Sequence, residues 1–187
     1  DQILRGRFRP GMKILDAGAG DGRNLVYFLR SGFDVCAVDK SPKIIARIRE
    51  MVSRLAPRLP AENFRSEDLP RLSFDANAFD AVVSNAVLHF ATDEADFAAI
   101  LNEMLRVLCP GGFLFARLAS MIGIEDRIEP LGGRRYSLPD GSDRFLVDEA
   151  FLIETTRRLG GRLMDPIKTV NVQGQRCMTN WCLEKTQ

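Results

Sequence analysis

Residues 15–24 read LDAGAGDGRN, and this stretch decides the fold. Just before it, MKILDA (12–17) is a short apolar run of strand character; just after it, Leu25, Phe28 and Leu29 recur at helical spacing. Gly18, Gly20 and Gly22 punctuate the junction, so the chain passes from strand through glycine loop into helix. Gly32 ends that helix, and FDVCAVD (33–39) forms a second apolar strand that stops on an acid. The whole is a βαβ unit.

Outward from this unit the alternation continues. Ser41 followed by Pro42 is a helix start, with Ile44, Ile45, Ile48, Met51, Val52 and Leu55 at helical spacing behind it. A weak third strand falls near residues 62–66, and FDAVVSN (79–85) reads as a buried fourth. A long helix capped at Thr92 or Asp93 carries Phe97, Leu101, Met104, Leu105 and Leu108 and is stopped by the turn Pro110-Gly111-Gly112. Strand five follows at 113–119. Residues 120–147 read as an irregular insertion with a small hairpin at its end, and long loops of this kind in compact domains are usually functional. Asp148 caps a last helix through Leu159, and runs at 162–171 and 175–184 meet at Val172-Gln173-Gly174 as an antiparallel hairpin. The expected fold is α/β: a Rossmann-like, doubly wound, mostly parallel seven-stranded sheet with an antiparallel C-terminal hairpin and helices on both faces.

The 187 residues suffice for one domain, taken as residues 1–187, and are too few for two full cores. The chain is 45% hydrophobic and 27% charged, and no apolar run reaches the roughly 20 residues of a membrane helix, so no membrane partner is expected. Lys plus Arg (26) and Asp plus Glu (25) nearly cancel, which removes a whole-molecule pull toward nucleic acid. Cys36, Cys109, Cys177 and Cys182 form no CxxC pair, and with His89 the sole histidine they assemble no zinc site of usual spacing; no metal is expected. The polar, Arg-rich opening shows no secretory pattern, and a reducing cytoplasm is the expected setting.

In an open α/β sheet the ligand crevice lies beyond the carboxyl ends of the strands, where LDAGAGDGRN belongs. Glycines let the backbone approach a ligand closely, and helix-start amides carry partial positive charge, so a nucleoside cofactor is implied. A dinucleotide fingerprint needs a third glycine where Arg23 stands. Asp16 and Asp21 would also repel a pyrophosphate, at a cost of about 1 kcal/mol per near pair even in water. The same carboxylates suit a ligand carrying an ammonium and a sulfonium, and S-adenosylmethionine (SAM) is one.

LDAGAGDGRN (15–24), VDKSP (38–42), SEDLP (66–70), FDAVVSNAVLHF (79–90) and LCPGGFLFARL (108–118), in this order, resemble the motif series of class I SAM-dependent methyltransferases over about residues 12–118. GRN after the glycine loop and the short chain are most similar to the small tellurite-resistance (TehB-like) and thiopurine-type branch. The resemblance implies methyl transfer from SAM, with S-adenosylhomocysteine as product. Gly18, Ala19, Gly20, Gly22 and Asn24 would lie along the methionyl and ribose parts, with Asp16 organising the amino group. Asp39 would accept both ribose hydroxyls, Lys40 would lie beside the adenine, Asp68 would accept from its exocyclic amine, and Leu69 would cover the ring. Asn85 and Ala86 would line the wall near the sulfonium.

Each residue also has a plainer reading. Asp39 can serve as a helix cap, although Ser41 is nearer; Asp68 can be a turn acid before Pro70. His89, just past strand four, is a candidate general base at the acceptor site or a polar residue filling the crevice rim. Cys109-Pro110 is read as structural filling. Arg127, Arg134, Arg135 and Arg144 gather in the insertion, where they form salt-bridged surface or hold an anionic acceptor. The run SNAVLHF lacks an (N/D/S)-P-P-(Y/F) element, so exocyclic amines of bases are disfavoured acceptors. The expectation is a methyltransferase for a small molecule, a soft thiol or chalcogen nucleophile needing no strong base. The alternatives are a SAM-binding sensor or scaffold without turnover and, disfavoured by Arg23, a nicotinamide-dependent reductase.

Overall fold

The computed structural model describes residues 2–186. Strands β1 (Lys13–Ala17) and β2 (Asp34–Asp39) flank helix α1 (Leu25–Arg30), and α2 (Pro42–Leu55) leads to β3 (Phe64–Ser66). Next come β4 (Phe79–Asn85), α3 (Glu94–Val107) and β5 (Leu108–Ser120). Their caps follow from the sequence: Ser41 Oγ accepts from Ile44 N at 3.4 Å, and Asp93 Oδ1 accepts from Asp96 N at 2.8 Å. Of the two candidate caps for α3, Asp93 is the one used.

Residues 120–147 depart from expectation. They hold an antiparallel three-stranded sheet, β6 (Glu129–Gly132), β7 (Arg135–Ser137) and β8 (Asp143–Phe145), in place of an irregular loop ending in a hairpin. Its strands are short and largely exposed on one side, so they carry little apolar alternation to betray them. They close over a satellite cluster of Ala119, Ile124, Leu138, Leu146, Cys177 and Met178 at the carboxyl end of the main sheet.

After α4 (Glu149–Arg158), capped by Asp148, come β9 (Gly161–Leu163), β10 (Lys168–Val172) and β11 (Arg176–Lys185). The main sheet runs β10-β11-β5-β4-β1-β2-β3, with β9 also paired to β11. It thus has the seven expected places, and the last is shared by two short strands: β10 pairs with residues 176–180 of β11 and β9 with residues 183–185. Pro166 falls in the break between them, where a ladder donor is dispensable. β1 through β5 are parallel and β11 antiparallel to β5. Helices α1 and α2 cover one face around Ile14, Val35, Val83 and Phe113; α3 and α4 cover the other around Leu15, Val82, Leu114 and Trp181.

The Cys-Pro-Gly-Gly segment ends no helix. Helix α3 already stops at Val107, and β5 begins before this segment, which loops out of the β4–β5 ladder between Phe79 paired to Leu108 and Ala81 paired to Phe113. Cys109 is half-buried, consistent with filling. The other three cysteines are buried, and all four are free thiols.

Candidate functional site

The crevice is built where β1 gives way to the glycine loop. Gly18 N and Ala19 N both donate to Val38 O at 2.9 Å, which pins the loop to β2, and Gly20 N donates to Asp39 Oδ2 at 3.0 Å. Gly18, Gly20 and Gly22 have φ of 82°, 53° and 77°, in the left-handed region that favours glycine. Their surroundings differ. A Cβ at Gly18 would stand 2.5 Å from Val87 Cγ2 and one at Gly22 2.8 Å from Met51 Cε, whereas a Cβ at Gly20 would meet nothing within 4 Å. The outer two glycines therefore serve packing, and the middle one faces open space.

Asp16 projects from β1 beside this space. It is 1% exposed, and neither carboxylate oxygen has a hydrogen-bond partner. Burial pushes its pKa up to about 7; the nearby Asn24 amide offsets a part of this and the charge of Asp39 adds to it. The Asn24 amide is itself engaged, its Oδ1 accepting from Asn85 Nδ2 at 3.4 Å, and the Oδ1 of Asn85 and the Oγ of Ser84 are likewise buried without partners. Asp16 and Asn85 lie on one face at the carboxyl ends of β1 and β4, and their unpartnered buried oxygens make this end of the sheet a candidate ligand site. Asp21, expected to flank the ligand with Asp16, is exposed and paired with Arg23 at 3.0 Å, so Asp16 and Asp39 are the carboxylates that face the crevice.

Asp39, ending β2, serves two backbone donors: Oδ2 takes Gly20 N, and Oδ1 takes Ser41 N at 2.9 Å. Each oxygen keeps a further acceptor position. Glu67 N donates to Asp39 O at 3.1 Å and Ser66 Oγ to Lys40 O at 3.3 Å, which draws the segment after β3 against the end of β2. Lys40 and Asp68 stand exposed on this rim, with Leu69 half-buried; Arg71 N donates to Asp68 O at 3.0 Å, so Asp68 does open a turn.

At the end of β4, Ala86 has φ 62°, a conformation costing an L-residue about 1–2 kcal/mol, held by Ala86 N donating to Arg117 O at 2.7 Å. This turn throws Val87 against Gly18 and sends the following 3-10 helix, Leu88–Phe90, across the end of β5. No sequence signal marks a strained alanine. Backbone strain of this kind collects at functional sites because the surrounding fold must hold it.

His89 is 6% exposed, and its Nδ1 accepts from Ala119 N at 3.2 Å. The neutral ring must then carry its proton on Nε2, which makes that nitrogen a donor. Burial first, and then the charges of Arg144, Arg117 and Arg176, push its pKa down to about 4. Of the four arginines of the insertion, Arg134 is salt-bridged to Asp148 at 2.9 Å, Arg135 donates to Ala91 O at 3.3 Å, Arg144 lies over the Phe90 ring at 4.8 Å, and Arg127 packs against Gly174. Among the described residues, no three His, Cys, Asp or Glu side chains gather to hold a metal ion, and no helix is long and apolar enough to cross a membrane.

Residues 15–116 match the family model described as a methyltransferase domain. An uncharacterized methyltransferase of Synechocystis sp. is 37% identical over 103 residues, 55% of this chain and 45% of the relative. A ubiquinone biosynthesis O-methyltransferase of Methylocella silvestris is 33% identical over 118 residues, 61% of this chain and 44% of the relative. This chain thus spans a little under half the length of these relatives. Among solved structures, the Burkholderia thailandensis 1,6-didemethyltoxoflavin-N1-methyltransferase with bound S-adenosylhomocysteine superposes with a TM-score of 0.72 at 24% identity, covering 100% of this chain and 75% of that one. The chain belongs to the methyltransferase domain family, the class I, SAM-dependent branch of the Rossmann-like fold.

Proposed function

We propose that this chain binds SAM between the glycine loop and Asp39 and transfers its methyl group to a small-molecule acceptor at the ends of β4 and β5. The observation that carries the reading is Asp16. A fully buried carboxylate without a partner is costly, and a cationic ligand group is what repays it. The amino group of SAM is such a cation, and Gly20 leaves room for the ligand to come against the backbone.

Bound there, SAM supplies an electrophilic methyl on a sulfonium that departs as a neutral thioether. Asp16 holds the ammonium, with Asn24 and Asn85 keeping the surrounding amides in register. Asp39, fixed by Gly20 and Ser41, accepts the ribose hydroxyls on its remaining lone pairs. Gly18, Ala19 and Gly22 shape the loop, Lys40, Asp68 and Leu69 take the adenine edge and face, and Ala86 closes the wall near the reacting centre. Alignment is the larger part of the catalysis, since orientation alone contributes roughly 7–11 kcal/mol.

His89, the sequence candidate for a base, is better suited to donate a hydrogen bond from Nε2 to the acceptor than to take its proton. A site whose histidine is held in this tautomer favours an acceptor that is nucleophilic without help, a thiolate or a chalcogen oxyanion derivative. The same feature fits a second reading, a domain that binds SAM without turnover. Offering the purified protein SAM with a panel of thiols and selenium or tellurium oxyanions separates them: formation of S-adenosylhomocysteine supports transfer, and tight binding without product supports the binding module.

A further inference from the structure

Resting on that reading of the site, we infer that Arg117 anchors the acceptor through a carboxylate, so the substrate class is a small monoanionic acid bearing a soft nucleophile. Arg117 is placed by β5. Asn85 of β4 pairs with it on one side and Asn180 of β11 on the other, and strand alternation puts all three on the same sheet face as Asp16, whose partner Val83 lies two residues before Asn85. One face of the sheet thus presents, in order, a carboxylate for the cofactor, an amide, a guanidinium and a second amide.

Arg117 is half-buried, yet its side chain makes no hydrogen bond, ion pair or ring contact among the described residues. The other half-buried arginines are all satisfied. Arg7 pairs with Asp165, Arg106 with Glu103 and Arg134 with Asp148; Arg65 and Arg144 lie over Phe74 and Phe90, and Arg135 donates to Ala91 O. Guanidinium groups withdrawn from water are normally paired, and a planar fork without a partner suits a carboxylate that can accept from two of its donors. Its strand neighbours are amides and not acids, so nothing in the ladder neutralises it. Arg117 also lies near enough to His89 for its charge, with that of Arg144, to disfavour protonation of the ring.

One free guanidinium matches one negative charge. A phosphate dianion would bring a second negative charge to the face that already carries the Asp16 carboxylate, which disfavours it relative to a monoanion. Phe90, 58% exposed on the same rim beneath Arg144, offers an apolar surface for the body of the acid.

The test uses protein saturated with S-adenosylhomocysteine at pH 7.5 and follows the Arg117 Nε–Hε resonance, assigned by its loss in Arg117→Gln. Benzoate, benzamide and phenyl phosphate are the probes. The inference expects benzoate to shift this signal saturably, Arg117→Gln to weaken benzoate at least tenfold while leaving S-adenosylhomocysteine affinity within threefold, and benzamide to bind both proteins alike. Equal benzoate binding by both proteins, no benzoate shift, or tighter binding of phenyl phosphate than of benzoate overturns it. Failure of S-adenosylhomocysteine itself to bind is a separate result, which removes the cofactor reading beneath it.

Discussion

Gly20 N donates to Asp39 Oδ2 at 3.0 Å, so the glycine loop after β1 is clamped to the acid that ends β2. The residue with open space before it and the residue with spare acceptor positions are one unit, and a ligand touching one meets the other.

Substitution of Asp39 should therefore act twice. Asp39→Ala removes the ribose acceptor and releases both Gly20 N and Ser41 N, and SAM affinity should fall by more than tenfold in a calorimetric titration. Asp39→Asn keeps a single acceptor oxygen and should fall between the two. An unchanged affinity in Asp39→Ala would remove this residue from the site.

Gly18 and Gly20 should fail differently. Gly18→Ala drives a methyl into Val87 at 2.5 Å and should lower stability by about 2 kcal/mol or more, read as a drop in thermal midpoint. Gly20→Ala has room and loses only the left-handed strain of about 1 kcal/mol, yet its methyl fills the ligand's approach, so binding should drop more than tenfold. The reverse pattern would mean that Gly20 is a plain turn residue.

Asp16 gives a pH signature. Its pKa of about 7 in the free protein means that the charged form needed for an ammonium is depleted as pH falls, and SAM binding should weaken roughly fivefold to tenfold from pH 7.5 to 6. Asp16→Asn should bind weakly at every pH and lose the dependence. The raised pKa also sets the sign for folding: the folded state holds the Asp16 proton more tightly than the unfolded chain, so this group's contribution is fully present below about pH 4 and is lost as pH rises through 7. The ligand-free Asp16→Asn protein should therefore be more stable than the parent at pH 8, by on the order of 2–4 kcal/mol in urea unfolding.

His89 carries the opposite sign. Its folded pKa of about 4 lies below the usual 6.5, so its contribution is present above pH 6.5 and is lost as pH falls toward 4. His89→Gln keeps an oxygen for Ala119 N but no titration. The parent's stability advantage over this variant should shrink between pH 7 and pH 5, and an advantage that grows on acidification would show that the ring is charged in the fold.

Much of this was legible in the sequence because local chemistry wrote it. The glycine loop and the acid closing β2 announce themselves by residue type, and the caps Ser41 and Asp148 are fixed by neighbours three residues on; the structure has them where expected. What escaped depends on contacts far along the chain. The loop-out at Cys109–Gly112 reflects β4–β5 register, and the split of the last sheet position between β9 and β10 reflects what β11 leaves open. The strained Ala86 has no residue-type signature. Arg117 left one trace, a charged residue inside an apolar strand, whose meaning emerges only when Asn85 and Asn180 are seen on either side.

The most direct measurement is a pair of titrations at pH 7.5, one with S-adenosylhomocysteine and one with NADH. Saturable heat with S-adenosylhomocysteine, strongly weakened in Asp16→Asn, and none with NADH is the predicted result. Saturable binding of NADH with no heat from S-adenosylhomocysteine would contradict the claim that Asp16 waits for a cation.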